Sequence, residues 1–202
     1  RKARAGRTLA KMATEARQKG HEAMKAKKYD VAARHFAVAA HYFNSEGLLN
    51  NYALSLLLSG ESVEAANRFN KLRISESEQW PIHANVALTA LGLGNTYQAK
   101  QEIERAIALC KDNDQKARLY NNLGYIYESS GKPTYARFAY EKALELNPNL
   151  SKARMNLAYI FMQTMEYDKA VEGYKALLAK EPDKADAWNQ LGFTYEMKHD
   201  AR

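Results

Sequence analysis

The five histidines of this 202-residue chain, His21, His35, His41, His83 and His199, are the first candidates for proton transfer or metal binding, and their spacing supports neither. His21-Glu22 opens like a zinc-binding helix, which needs a second histidine four residues after the first; Lys25 stands there. Ser129-Ser130-Gly131-Lys132-Pro133-Thr134 carries the Gly-Lys of a phosphate loop, but Ile126 replaces the earlier glycine and Pro133 the hydroxyl residue. Gly92-Leu93-Gly94 lacks the third glycine and the preceding strand of a dinucleotide site. Cys110, the one cysteine, can form neither an internal disulfide nor a thiolate cluster, and reads as a small apolar residue. No catalytic set, metal site or cofactor is expected.

Hydrogen bonding is the chemistry that does recur. An amide side chain stands at Gln18, Asn51, Asn85, Asn122, Asn156 and Gln190, at intervals of 33 to 37 residues. An asparagine offers one acceptor and two donors, enough for a paired hydrogen bond to the main chain of an extended peptide without reading its side chains. The same group can instead bond across to a neighbouring helix, and the sequence leaves both uses open. Three residues after each amide come His21, Leu54, Leu88, Tyr125, Tyr159 and Phe193, on the same helix face. With Leu57 and Leu91 they make that face aliphatic in the middle and aromatic toward the C-terminus; packing between neighbouring elements is their other reading. Arg118 and Lys152 add positive charge to the aromatic end.

The elements that carry these residues repeat. Ala32, Ala65, Ala99, Ala136 and Ala170 align; four residues after each stands Phe36, Phe69, Ile103, Tyr140 or Tyr174, and three further Ala39, Leu72, Ala106, Ala143 or Leu177. Upstream lies a second helical stripe, Tyr52-Ala53, Val86-Ala87, Leu123-Gly124, Leu157-Ala158 and Leu191-Gly192, in which the small residue admits a neighbouring helix. Gly60, Gly94 and Gly131 fall between the stripes, where a helix must stop. Units therefore run over about 13–45, 46–79, 80–116, 117–150 and 151–184, with a sixth, 185–202, reduced to its first helix and leaving Trp188, Leu191 and Tyr195 uncovered. Asn113, Asp114 and Gln115 read as a longer linker before the fourth unit.

The run Tyr120-Asn121-Asn122-Leu123-Gly124-Tyr125-Ile126-Tyr127, followed by Gly131, Ala136, Tyr140, Ala143 and Pro148, resembles a nearly complete tetratricopeptide repeat, and Trp188, Leu191, Gly192 and Tyr195 resemble the start of another. The resemblance covers residues 13–202. It implies an all-α fold, a right-handed α-solenoid of antiparallel helix pairs, about five and a half repeats long, whose first helices line a concave groove. It also implies a non-catalytic scaffold that binds a peptide segment of a partner protein. Asn51, Asn85, Asn122 and Asn156 resemble the asparagine ladder of O-linked N-acetylglucosamine transferase solenoids, whose catalytic domain has no counterpart here. The clamp for chaperone tails is incomplete: where it wants Lys then Asn, the units offer Arg17 with His21, Asn50 with Leu54, Ala84 with Leu88 and Asn121 with Tyr125. Similar arrays serve bacterial pilus-assembly, secretion and organelle-associated proteins.

Charge is uneven. Residues 1–50 hold eleven Lys or Arg against four Asp or Glu, and the remainder holds nineteen of each, so the whole net charge of +7 lies in the first quarter. Arg1, Lys2, Arg4, Arg7 and Lys11, in a basic segment over 1–12, with Arg17 and Lys19 after it, form a patch for nucleic acid or an anionic membrane, the alternative to peptide capture. Homo-oligomerisation through the uncovered last unit is a third reading. No apolar run reaches the ~20 residues of a membrane helix. The sequence reads as a soluble piece, cytoplasmic or periplasmic, open to tethering by a segment outside it.

Overall fold

The computed structural model describes residues 2–74 and 79–201, with side chains described over 9–72 and 79–201. Among the described residues there are eleven helices and no strand. They are α1 (Lys2–Lys25), α2 (Tyr29–Tyr42), α3 (Glu46–Leu58), α4 (Ser62–Ile74), α5 (Trp80–Gly92), α6 (Thr96–Leu109), α7 (Asn113–Ser129), α8 (Pro133–Leu146), α9 (Ser151–Gln163), α10 (Tyr167–Leu178) and α11 (Ala185–Asp200). No described helix is long and apolar enough to cross a membrane. Contacts divide the chain into two compact units, Arg1–Glu102 and Ile103–Arg202.

Within each of the five helix pairs the connection is three residues long, short enough to turn the chain back on itself. The same turn recurs in all five. One residue adopts the left-handed conformation, and the next donates its N–H to a carbonyl five residues earlier: Lys28 to Ala23, Glu61 to Leu56, Asn95 to Ala90, Lys132 to Tyr127 and Glu166 to Phe161, at 2.8–2.9 Å. Glycine takes the left-handed place at Gly60, Gly94 and Gly131, as the sequence predicts, with φ of 94°, 79° and 67°. Lys27 and Met165 take it in the first and fifth pairs at φ of 56° and 63°. A side chain there costs on the order of 1 kcal/mol, so no glycine marks these two stops.

In the first unit α1 packs on α2, α2 on α3, α3 on α4 and α4 on α5, and α3 also touches α5. In the second the sequence of contacts is α7 with α8, α8 with α9, α9 with α10 and α10 with α11, with α7 on α9 and α9 on α11. The stripe read from the sequence is the core: Ala32, Phe36, Ala39, Ala65, Phe69, Leu72, Ala99, Ile103, Ala106, Ala136, Tyr140, Ala143, Ala170, Tyr174 and Leu177 are all buried. Two of its large members, Phe36 and Tyr140, lie over glycines sixteen positions earlier. The Phe36 ring fills the place of a side chain at Gly20, and the Tyr140 ring the place of one at Gly124, where an added Cβ would stand 2.6 and 2.5 Å from ring carbons. Burying such a ring stabilises the pair by roughly 1.5–3 kcal/mol.

Three expectations change. α1 begins at Lys2 rather than near residue 13, because Ala, Lys and Arg are good helix formers and nothing between 2 and 25 stops them. Asn113, Asp114 and Gln115 are the first turn of α7 and not a linker; Asp112 caps it, its Oδ1 accepting the N–H of Gln115 at 2.8 Å. Leu191 is buried in a cluster with Tyr174, Leu177, Leu178 and Ala187, so only Trp188 and Tyr195 of the three residues at the last helix are exposed.

Candidate functional site

The first-position helices α1, α3 and α5 of the first unit carry Gln18, Asn51 and Asn85. Asn85 does not stand alone: its Nδ2 donates to Oδ1 of Asn50 on α3 at 2.9 Å. Asn50 is buried and Asn85 half-buried, so the bond holds the Asn85 amide in one orientation; its net contribution to stability is about 1 kcal/mol. Asn51, next to that acceptor, is half-buried and makes no side-chain hydrogen bond among the described residues. It lines a cleft of about 660 Å³ between α1 and the start of α3. On the α1 side stand Thr14, Arg17, Gln18, His21, Glu22 and Lys25; on the α3 side stand Ser45, Gly47, Leu48 and Asn51. Gln18 Nε2 donates to Glu22 Oε1 at 3.1 Å, and His21 sets its edge against the Phe36 ring, centroids 5.2 Å apart.

The second unit repeats the arrangement. On α9 the Nδ2 of Asn156 donates to Oδ1 of Asn121 on α7 at 3.0 Å, with Asn121 buried, while Asn122 beside it has no side-chain hydrogen bond among the described residues. Gln190 on α11 is half-buried. Of the two uses left open by the sequence, Asn85 and Asn156 take the bond across to the preceding first-position helix, and Asn51 and Asn122 do not. The acceptors Asn50 and Asn121 are missed by a reading of single positions. Their signal is the doublet, Asn50-Asn51 and Asn121-Asn122, followed 35 residues after its first member by an asparagine.

The side chains three residues on differ in exposure. Tyr125, Phe193 and Leu88 keep 52 %, 48 % and 36 % of their surface exposed, enough to touch a ligand. Tyr159 is half-buried, and Leu54 with Leu57 packs against the cluster of Ala53, Phe69 and Val86. Arg118 and Lys152 are exposed and make no ion pair among the described residues. Of the basic patch, Lys11 lies 4.0 Å from Glu15, Arg17 lines the cleft and Lys19 is exposed. The side chains of Arg1, Lys2, Arg4 and Arg7 lie outside the described residues.

Two polar features lie inside the fold. His83 on α5 is fully buried, with Nδ1 2.7 Å from Glu102 Oε2 on α6, so this histidine pins two helices together. The Tyr140 hydroxyl donates to Glu128 Oε2 at 2.9 Å, and burial, with Glu128 beside it, pushes that phenol far above its ordinary range. Cys110 is buried just past α6, its Sγ 3.5 Å from the carbonyl of Asp112.

Helix pairs that stack a large residue over a small one and leave one row of helices polar define a class, the α-solenoid binding scaffold. Comparison places the chain within it. The tetratricopeptide repeat model matches residues 117–150, and a second tetratricopeptide repeat model matches residues 139–172. The uncharacterized protein ycf37 of Pyropia yezoensis is 31 % identical over 56 % of this chain and 68 % of its own length. The photosystem I assembly protein Ycf3 of a Synechococcus strain is 29 % identical over 56 % of this chain and 61 % of its own length. Of several other curated relatives the matched part is well under two thirds. The crystal structure of TTC0263, a tetratricopeptide repeat protein of Thermus thermophilus, shares the fold with a TM-score of 0.75 at 18 % identity, over 91 % of this chain and 98 % of that one. The chain belongs to the tetratricopeptide repeat family. Proteins of this family and fold are generally non-catalytic scaffolds that bind protein or peptide partners.

Proposed function

We propose that the protein holds an extended segment of a partner protein against the amide-bearing first-position helices within a compact unit, and that it does so in the assembly of a multi-subunit complex. One observation carries this reading: in each compact unit an asparagine with no side-chain hydrogen bond among the described residues stands beside an asparagine pair that bonds across helices. Asn51 and Asn122 have a donor and an acceptor to offer a main chain, and Asn85 and Asn156 keep Oδ1 and one N–H in a fixed direction. Exposed Leu88, Tyr125 and Phe193 supply apolar contact beside them. The role of Ycf3 in photosystem I assembly supports the choice of assembly.

The test is capture of proteins by the intact chain at moderate salt, with cross-linking and mass spectrometry, against an Asn51→Ala, Asn122→Ala variant. Those two substitutions leave no buried partner unsatisfied, so the fold survives them. A partner lost by at least about tenfold in the variant, worth about 1.4 kcal/mol, supports the reading. Equal recovery by both moves binding to another surface, and capture of nucleic acid abolished by salt favours the basic patch instead.

A further inference from the structure

The cleft between α1 and α3 has a charge pattern that a neutral main-chain reader does not need. Arg17, His21 and Lys25 follow one another at four-residue intervals on α1, and all three line the cleft. Neither Arg17 nor Lys25 makes an ion pair among the described residues, although Arg34, Arg68 and Arg137 elsewhere on the surface are each paired with an acid one turn away. Two exposed cations that make no ion pair among the described residues therefore flank a histidine along one wall of a cleft, which also carries Glu22 and whose other wall presents Asn51.

Resting on the proposal of segment capture, we propose that this cleft takes an acidic stretch of the partner, in extended conformation, with two carboxylates four residues apart. The spacing follows from geometry. Eight residues of helix separate Arg17 from Lys25, a rise of about 12 Å. Four residues of extended chain cover about 13 Å and return to the same face, whereas residues three apart point to opposite faces. A segment lying along α1 sets one carboxylate at Arg17 and the other at Lys25, while the residue between them faces His21. Asn51, across the cleft, meets its main chain.

The neighbouring row on α1 makes the spacing selective. Glu22 lies one position from His21, tied to Gln18, and repels a charge out of register. It also disfavours nucleic acid, whose phosphates recur at every nucleotide and cannot all avoid it. Gly47 opens the α3 side, since a Cβ there would meet nothing within 4 Å.

The experiment is fluorescence anisotropy on the full chain at moderate ionic strength, with two labelled ten-residue peptides of identical Ser, Gly and Glu composition. One has its two glutamates four apart and the other three apart. The four-apart peptide binds at least about fivefold more tightly, as expected of two exposed ion pairs of up to about 1 kcal/mol each. Arg17→Gln with Lys25→Gln abolishes that margin. Lys19→Gln with Lys28→Gln, the same charge loss outside the cleft, keeps it, and Gly47→Phe weakens both peptides by filling the opening. Equal affinity for the two spacings overturns the proposal, as does a margin that survives Arg17→Gln with Lys25→Gln, or a single-stranded oligonucleotide that displaces the peptide at lower concentration than the peptide itself. A peptide with glutamine in place of both glutamates that binds as well, yet loses affinity with Asn51→Ala, strikes the acidic preference while leaving segment capture standing.

Discussion

Tyr140 and Tyr174 occupy the same place in successive helix pairs, both fully buried, and differ by one hydrogen bond. Tyr140 reaches Glu128, twelve residues earlier; the corresponding residue for Tyr174 is Met162, and its hydroxyl has no partner among the described residues. Burial pushes both phenols well above their usual range, so each stays neutral at ordinary pH. Tyr140→Phe is expected to cost about 1 kcal/mol, whereas Tyr174→Phe should be neutral or stabilise by up to about 1 kcal/mol, because it removes a polar group that folding leaves unsatisfied. Urea unfolding of the two variants checks this; equal losses for both would mean that the Tyr174 hydroxyl has a partner after all. The same contrast governs the amides. Asn85 and Asn51 are alike in the repeat pattern and differ because Asn85 finds the acceptor Asn50 before the amide of the preceding helix, where Arg17, which cannot accept, stands for Asn51.

At the scale of helices, one small position of the repeat is filled three times by glycine, and two of these, Gly124 and Gly192, have opposite consequences. A Cβ at Gly124 would stand 2.5 Å from the packed Tyr140 ring, while one at Gly192 on α11 would meet nothing within 4 Å. Gly124→Ala should lose about 1–3 kcal/mol to overpacking, and Gly192→Ala should gain up to about 1 kcal/mol of helix propensity. Calorimetric melting of the pair measures the difference, and a neutral Gly124→Ala would show that the ring moves aside freely. The helices themselves were legible in the sequence because the period of the Ala, aromatic, Ala stripe reports burial directly. What the period does not report is geometry without a side-chain signature. The left-handed turns at Lys27 and Met165 carry no glycine, the extra turns of α1 lie outside any apolar stripe, and the Asp112 cap turns what reads as a linker into helix.

For the whole chain, the two compact units are built to one plan, each with three amide-bearing helices and one asparagine pair bonded across two of them. The candidate residues were legible as a row, since Asn51, Asn85, Asn122 and Asn156 stand out by type and spacing. Which of them are bonded was not, because that depends on whether the residue before the amide of the preceding helix is an acceptor, as Asn50 is for Asn85 and Asn121 for Asn156, or a residue that cannot accept, as Arg17 before Gln18. Of the basic residues in the first quarter, Arg17 and Lys25 line the α1 cleft. Away from the amides, the exposed aromatic pair Tyr135 and Phe138 on α8 is the competing surface. The decisive measurement is a nitrogen–proton NMR titration of the intact chain with the cross-linked partner segment, following the side-chain amides of Asn51 and Asn122. Capture by the amide face predicts that both move with saturation while the backbone signals of Tyr135 and Phe138 stay in place. Amides that stay in place while the α8 signals shift would contradict it.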